Sequence, residues 1–555
     1  MKNRFLEWSR ISLILCLFRS TVYAGASDSE KLYDVVVYGG TSAGVVAVVQ
    51  VVRMGKTVLL IEPGKHLGGL SSGGLGFTDS GNKDVIGGIG RDFYRRIKKH
   101  YDNPGAWVHE KSSDYGRYRP EEDAMWAFEP HVAESIFNEM VREAGVSVVF
   151  GERLDLKAGV QKTDSRIVSI RMESGHVYHG KMFIDATYEG DLTALAGVSC
   201  TVGREGNGRY GETLNGVQTE RAKSHQFIRD VDPHVKPGNP RSGLLFGIDP
   251  EGPGEESSGD HRIQAYNFRM CLTDVYDNQI PFEKPDGYDE SQYELLLRNV
   301  EAGDDRIPLK IDMMPNRKTD INNNFAVSTD FIGQNYGFPE GDYVIREKII
   351  RAHASYIKGF MWTLTNHPRI SETVRSKVKT WGWARDEFVD NDHFPHQIYV
   401  REARRMVSDF VMTELHCRRQ KSTPESVGMG SYNMDSHNTQ RYITREGFVR
   451  NEGDVQVNPG GPYPISYRAI VPREKECGNL LVPVCLSASH ISYGSVRMEP
   501  VFMILGQSAA TAAVLAVQGQ TSVQRVDYPS LRKRLLADGQ VLEWKIDPDS
   551  TQRQK

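Results

Sequence analysis

Six residues between two apolar runs carry the first chemical signal. Gly39-Gly40-Thr41-Ser42-Ala43-Gly44 follows the run YDVVVY (33–38) and opens the apolar stretch Ala43 to Met54. A turn that leads from a buried strand into a helix aims the free N–H groups of the first helical turn at one point, where a dinucleotide pyrophosphate is held. Gly39 permits the tight turn. Gly44 lets the helix pack closely on the strand. Glu62 lies 18 residues after Gly44, at the end of the run TVLLI (57–61). There a carboxylate accepts hydrogen bonds from the hydroxyls of an adenosine ribose. The pattern departs from GxGxxG at one place: Thr41 replaces the middle glycine, so the backbone meets phosphate past a β-branched side chain. The plain alternative is a strand-turn-helix with no ligand. A literal GxGxxG match at 206–211 has no apolar strand before it and no apolar helix after it. It reads as a decoy, which leaves one dinucleotide site and no visible NAD(P)H domain.

These residues need a parallel sheet behind them. YDVVVY and TVLLI are continuous apolar runs rich in β-branched residues, as in strands buried on both faces, and Gly55 ends the helix between them. Residues 130–144 read as an amphipathic helix with Ala133, Ile136, Phe137, Met140 and Val141 on one face. Strand-like runs at 147–154, 166–172 and 177–184 suggest a small antiparallel meander that returns to the main sheet. From about 220 to 470 the chain turns rich in Asn, Asp, Pro, Tyr and Arg, with few long apolar runs, and 251–260 (EGPGEESSGD) reads as a surface loop. Apolar character returns at 479–484 as a strand and at 500–517 as a buried, Ala-rich helix. The expected layout is a signal segment over 1–24 and a cofactor domain in two parts, 33–220 and 471–520. A substrate or cap domain over 221–470 is inserted between them, and a C-terminal helix and tail fill 521–555. The fold class is α/β: a Rossmann-type three-layer domain with an inserted α+β domain.

The chain has 555 residues, 39% hydrophobic and 25% charged, with a net charge of −4. That is ordinary for a globular protein, and without a basic block neither nucleic acid nor an anionic membrane surface is an expected partner. Lys2, Arg4 and Arg10, the apolar run 11–18 and the small-residue site Val22-Tyr23-Ala24 read as a secretory signal of the Sec type. The location expected from it is secreted or periplasmic, with no integral membrane segment in the mature chain. Whether the signal is cleaved or kept as a short anchor stays open. Five widely spaced cysteines remain after Cys16, an odd number without CxxC spacing, which argues against a disulfide framework and a cysteine metal site.

Four segments together are distinctive: YDVVVYGGTSAG (33–44), HLGGLSSGGLGFTD (66–79), FIDATYEGDLTALAG (183–197) and LVPVCLSASHISYGSVRMEPVFMILGQSAATAA (481–513). From Tyr33 to about Val541 the sequence resembles a family of bacterial FAD-dependent oxidoreductases, some of whose relatives carry the label xanthan lyase-like. Threonine in place of the middle glycine is usual in that family. The resemblance implies a glutathione-reductase-type FAD fold and FAD as cofactor; fold alone does not fix the chemistry.

The same segments have a physical reading of their own. Gly68, Gly69, Gly73 and Gly74 let backbone approach a flat ring closely. Ala186 ends a strand beside the first crossover and resembles the strand end of related FAD proteins. The stretch from Ser489 through His490 and Gly494 to Arg497 and Met498 precedes the 500–517 helix, whose N–H groups can stabilise negative charge on a reduced flavin. It also resembles the His-x-x-x-Gly-x-x-Arg-Leu segment of fumarate-reductase-type flavoproteins, which makes His490 and Arg497 the candidate catalytic pair. A capped, salt-bridged helix start, with Glu499 as the partner of Arg497, is the plain alternative. Arg401, Arg404 and Arg405 read as the solvated face of a helix over 396–417, with Arg405 and Asp409 paired. Asp435, His437 and Asn438, with Tyr432 and Tyr442, read as a polar loop able to line a sugar site. His66 is a remote candidate for a covalent flavin link. The function expected is oxidation of an organic substrate, a small molecule or carbohydrate such as a sugar or glycan fragment, by hydride transfer to FAD, with the electron acceptor open. A lyase or other non-redox activity on a polysaccharide-related substrate is the alternative, and a binding protein that keeps FAD as a structural element is a third.

Overall fold

The computed structural model describes residues 31–544, so the expected signal segment lies outside the described residues. Strand β1 (Leu32–Tyr38) runs parallel to β2 (Val58–Glu62) on one side and to β6 (Val177–Asp185) on the other. Strand β3 (Ser147–Phe150) extends the sheet beyond β2. The nine-residue β6 belongs to two ladders. Its start pairs antiparallel with β5 (Arg166–Arg171), which pairs with β4 (Val160–Thr163); its end carries Leu480–Leu481 in parallel. The expected meander is therefore β4-β5-β6, while β3 joins the parallel sheet.

Both faces of β1 are buried, as its unbroken apolar run requires. Val35 and Val37 face the core shared with helix α1 (Ser42–Arg53) and helix α3 (Pro130–Ala144), while Val36 and Tyr38 face a second core with Leu154, Ile170 and Leu192. The long helix Glu499–Gly519 lies across α1 so closely that a Cβ on Gly506 would stand 2.3 Å from the Ala43 carbonyl oxygen. Among the described residues it is the one helix long and apolar enough to cross a membrane, yet 89% of its apolar window is buried inside the fold.

A second, five-stranded antiparallel sheet has the order 309–314, 318–323, 272–273, 382–384, 279–280. The helix Tyr343–Asn366, capped by the Asp342 carboxylate on the Ile345 N–H at 2.9 Å, packs alongside. Later strands of the same region return to the cofactor domain: Ser508 on the Glu499 helix donates to the Val427 carbonyl at 2.6 Å.

Two expectations fail here. Residues 396–417 are not a helix; they run extended through a bridge at Arg405–Met406, and only Glu414–Cys417 is helical. Nor are their arginines solvated. Arg401 pairs with Asp330 at 2.9 Å, Arg404 with Asp191 at 2.7 Å and Arg405 with Glu205 at 2.9 Å, while Asp409 pairs with Arg473. Partners distant in sequence override the local helical spacing. The second failure is partial: in the expected polar loop Tyr432, His437 and Asn438 do lie outside strands, but two of its residues do not. Asp435 lies in the strand Met434–Ser436 and Tyr442 in the strand Gln440–Ile443, and Asp435 is turned inward on Arg497.

Candidate active site

The turn after β1 is shaped by contacts that exclude side chains. Gly39 has φ 101°, and a Cβ there would stand 2.9 Å from the Ala186 backbone at the end of β6. A Cβ on Gly44 would lie 1.9 Å from the Gly39 carbonyl oxygen. Thr41 is used from both ends: its hydroxyl donates to the Ala186 carbonyl at 2.7 Å and caps the Gly44 N–H at 3.4 Å. Its side chain is thus held between the end of β6 and the first turn of α1, which is how a β-branched residue fits where glycine is common. Ser42 and Ala43 begin α1 and leave its first-turn N–H groups for a ligand.

The Glu62 carboxylate closes this end. It accepts from the Gly40 N–H at 2.6 Å and the Gly64 N–H at 2.5 Å. Burial pushes its carboxyl up to about 7 against the pull of those two N–H groups. Glu189, half-buried on the same cleft, is likewise pushed up to about 7 by desolvation, with the nearby Arg346 opposing the shift. Glu62, Glu189 and Arg346 line one cleft with Gly39, Thr41 and Gly69, whose inner wall is Gln397 and Ile398.

The glycine-rich segment lies at that inner end. The Gly68 N–H donates to the Gly40 carbonyl at 2.8 Å, so the segment is fastened to the phosphate turn. Gly73 and Gly74 are forced by close approach: Cβ atoms there would meet Gln397 Cβ at 2.4 Å and the Arg269 carbonyl at 2.0 Å. Beside them stands Glu499, the first residue of its helix. Its carboxylate takes hydrogen bonds from Ser42 Oγ at 2.5 Å, Ser71 Oγ at 3.1 Å and Tyr188 Oη at 2.7 Å. Glu499 therefore faces the phosphate turn, and the expected Arg497–Glu499 bridge is replaced by Arg497–Asp435 at 3.3 Å.

Behind the glycine-rich segment lies a buried polar cluster. Arg497 Nη1 donates to Tyr399 Oη at 2.8 Å and its Nη2 reaches Gln264 Oε1 at 3.2 Å. Burial works against ionisation of Asp435, yet His437, Arg497 and Arg401 hold its carboxyl well below the usual range. His490 is 1% exposed. Its Nδ1 sits on Glu402 at 2.8 Å and its Nε2 on Ser436 Oγ at 3.0 Å. The structure thus gathers His490, Arg497, Asp435, His437 and Arg401 around the strand Met434–Ser436. His66 lies away from this cluster but lines the cleft with Glu62 and Gly69, its Nδ1 on Glu134 at 2.9 Å and its ring stacked on His396.

A parallel strand that ends on a phosphate-holding turn, with a carboxylate at the tip of the next strand, defines a Rossmann-type dinucleotide-binding protein. The family model described as FAD dependent oxidoreductase matches residues 34–535. The chain belongs to that family. The residues present fit FAD: open N–H groups at α1 and a carboxylate at the tip of β2 for the ribose, on one cleft. Solved structures similar to it in part include L-proline dehydrogenase from P. horikoshii, at 16% identity over 32% of this chain and 59% of that chain, with a TM-score of 0.23. L-amino acid deaminase from Proteus vulgaris is 14% identical over 32% of this chain and 53% of that one, TM-score 0.23. THI4 from Thermovibrio ammonificans is 19% identical over 32% and 67%, TM-score 0.22. The chain thus spans about three fifths of the dehydrogenase it matches. No curated protein matches it.

Sequence reasoning missed Gln264, Arg269, Tyr399, Glu402 and the inward role of Glu499. A signal was there: IYVREARRM (398–406) sets arginines among β-branched and aromatic residues, a pattern suited to a buried extended segment.

Proposed function

We propose that the protein is exported and oxidises a hydroxyl-bearing organic substrate, a sugar or glycan fragment, by hydride transfer to FAD. The observation that carries the reading is the hydrogen-bonded line Glu402–His490–Ser436, which lies one residue from Asp435 and its partner Arg497. FAD, when bound, accepts the hydride. The chain's own residues handle the proton. Glu402, kept ionised by His490 and Arg405 against the effect of burial, fixes the Nδ1–H tautomer. The Nε2 lone pair then accepts from Ser436, so the substrate O–H proton passes through the Ser436 hydroxyl to His490 as the C–H hydride leaves and the carbonyl forms. Arg497, oriented by Tyr399 and Asp435, supports negative charge on the substrate oxygen.

The test is anaerobic mixing of the pure, flavin-loaded protein with a panel of sugars and sugar derivatives. Bleaching of the flavin absorbance by at least one supports the oxidation; substrate cleavage with an unchanged flavin spectrum contradicts it. Export rests on Lys2, Arg4, Arg10 and the apolar run that follows. Cell fractionation, with N-terminal sequencing of the mature protein, checks it.

A further inference from the structure

Three guanidinium groups surround one tyrosine ring in the interior. Arg401 stands 4.7 Å, Arg497 5.6 Å and Arg269 5.9 Å from the centre of Tyr399. Arg269 and Arg401 are each 1% exposed and Arg497 4%. Each has one aspartate partner: Asp320 for Arg269, Asp330 for Arg401 and Asp435 for Arg497. Pairing with these carboxylates leaves donors over. Arg269 Nη1, Arg401 Nε, Arg497 Nε and the Gln264 amide nitrogen are buried without a hydrogen-bond partner. A buried unpaired donor is disfavoured by about 1–3 kcal/mol, more on a charged group. Four of them, on three arginines around the Tyr399 ring and on the glutamine that Arg497 touches, point to a ligand that pairs with them.

The position agrees. Tyr399 follows Gln397 and Ile398, which wall the inner end of the cofactor cleft. The Arg269 carbonyl is the atom that Gly74 approaches. The cluster therefore lies against the glycine-rich segment and next to the cleft. Burial lowers the affinity of Arg401 for its proton against the pull of Asp330, and the nearby Arg497 and Arg269 lower it further, which places the three guanidinium groups close together.

We propose that Arg269, Arg401, Arg497 and Gln264 bind a carboxylate of the substrate, so that the molecule oxidised is an organic acid, a sugar acid rather than a neutral sugar. This rests on the oxidation proposed above. A carboxylate offers four acceptor positions in one plane, which suits four such donors, and planar guanidinium groups pair with it in preference to a hydrated ammonium.

The test is a titration of the flavin-loaded protein under air, read from the visible difference spectrum, with glucuronate and glycolate against glucose, ethylene glycol, inorganic phosphate and chloride. A thermal melt of the protein with the same compounds is the second readout. The expected result is a saturable spectral change and a raised melting temperature with the carboxylates alone. Arg401→Lys should weaken carboxylate binding tenfold or more. If that variant fails to hold flavin, the wild-type titration decides. No change with either carboxylate, or an equal change with phosphate or chloride, overturns the proposal. The two readings separate. Carboxylate binding without anaerobic bleaching leaves this site standing and removes the oxidation, whereas bleaching by neutral sugars without carboxylate binding does the reverse.

Discussion

Ser42 and Glu499 are 457 positions apart, yet the Ser42 hydroxyl donates to the Glu499 carboxylate at 2.5 Å. This contact joins the first residue of the phosphate-binding helix to the first residue of the long helix that crosses it. Glu499 also gathers Ser71 and Tyr188, so one carboxylate ties the phosphate turn, the glycine-rich segment and the end of the first crossover together. Burial raises its carboxyl above the usual range. Glutamine keeps a hydrogen-bonding group at this point and alanine does not. Glu499→Gln is therefore expected to fold and keep its flavin. Glu499→Ala strands three hydroxyls, each worth about 1–3 kcal/mol when buried and unpaired. Melting temperature and flavin content measure both, and an alanine variant as stable and as yellow as wild type would refute the role.

At Gly44 the demand is steric. Because a Cβ would fall 1.9 Å from the Gly39 carbonyl oxygen, even Gly44→Ala forces α1 away from the turn, and Gly44→Val does so further. Both variants should lose FAD retention. Full flavin content in a folded Gly44→Val protein would show that the cofactor sits elsewhere.

Glu62 and Glu189 give the protein a pH signature. Each carboxyl is raised from 4.5 to about 7 by burial. The folded state then holds more protons than the unfolded state between these values. The stabilisation is complete below about pH 4.5 and is lost as pH rises through 7, by up to roughly 3 kcal/mol for each group. Apoprotein melts should fall over that window, and Glu62→Gln should flatten the curve. A Glu62→Gln profile that superimposes on wild type would contradict the assignment.

His66 is already engaged by Glu134 and stacked on His396, and its Nε2 faces Asp390 at 3.4 Å. FAD is accordingly expected to be noncovalent and to leave with the supernatant when acid precipitates the protein. Flavin retained in the pellet would point to a covalent bond and to His66 as its first candidate.

Local physics made part of this legible. The helix Pro130–Ala144 has the bounds that its amphipathic spacing predicts, and β1, the Gly39 turn, α1 and β2 follow from one short stretch of apolar runs and glycines. The close approaches at Gly73 and Gly74 were readable as glycines that nothing else explains. The polar cluster was not readable. Arg269, Asp330, Tyr399, Glu402, Asp435 and Arg497 come from five separate segments, and the ion pairs that bury them leave no trace in any one of them. Charges that look solvated in a local window, as in 401–405, are buried here because their partners arrive from elsewhere.

The central claim is that Arg497 acts on the substrate in a flavin-dependent oxidation. Rapid mixing of wild type and Arg497→Ala with a reducing substrate under anaerobic conditions tests it most directly. Arg497 lies inside the fold on Asp435 and Tyr399, so its loss carries some cost in stability, and the comparison is made on folded, flavin-loaded protein. Removal of a transition-state contact typically slows a reaction roughly 100-fold or more. The expected result is flavin bleaching slowed by about that factor with flavin content unchanged. A variant that bleaches at the wild-type rate, with only a lowered melting temperature, would show that Arg497 holds the fold and takes no part in the chemistry.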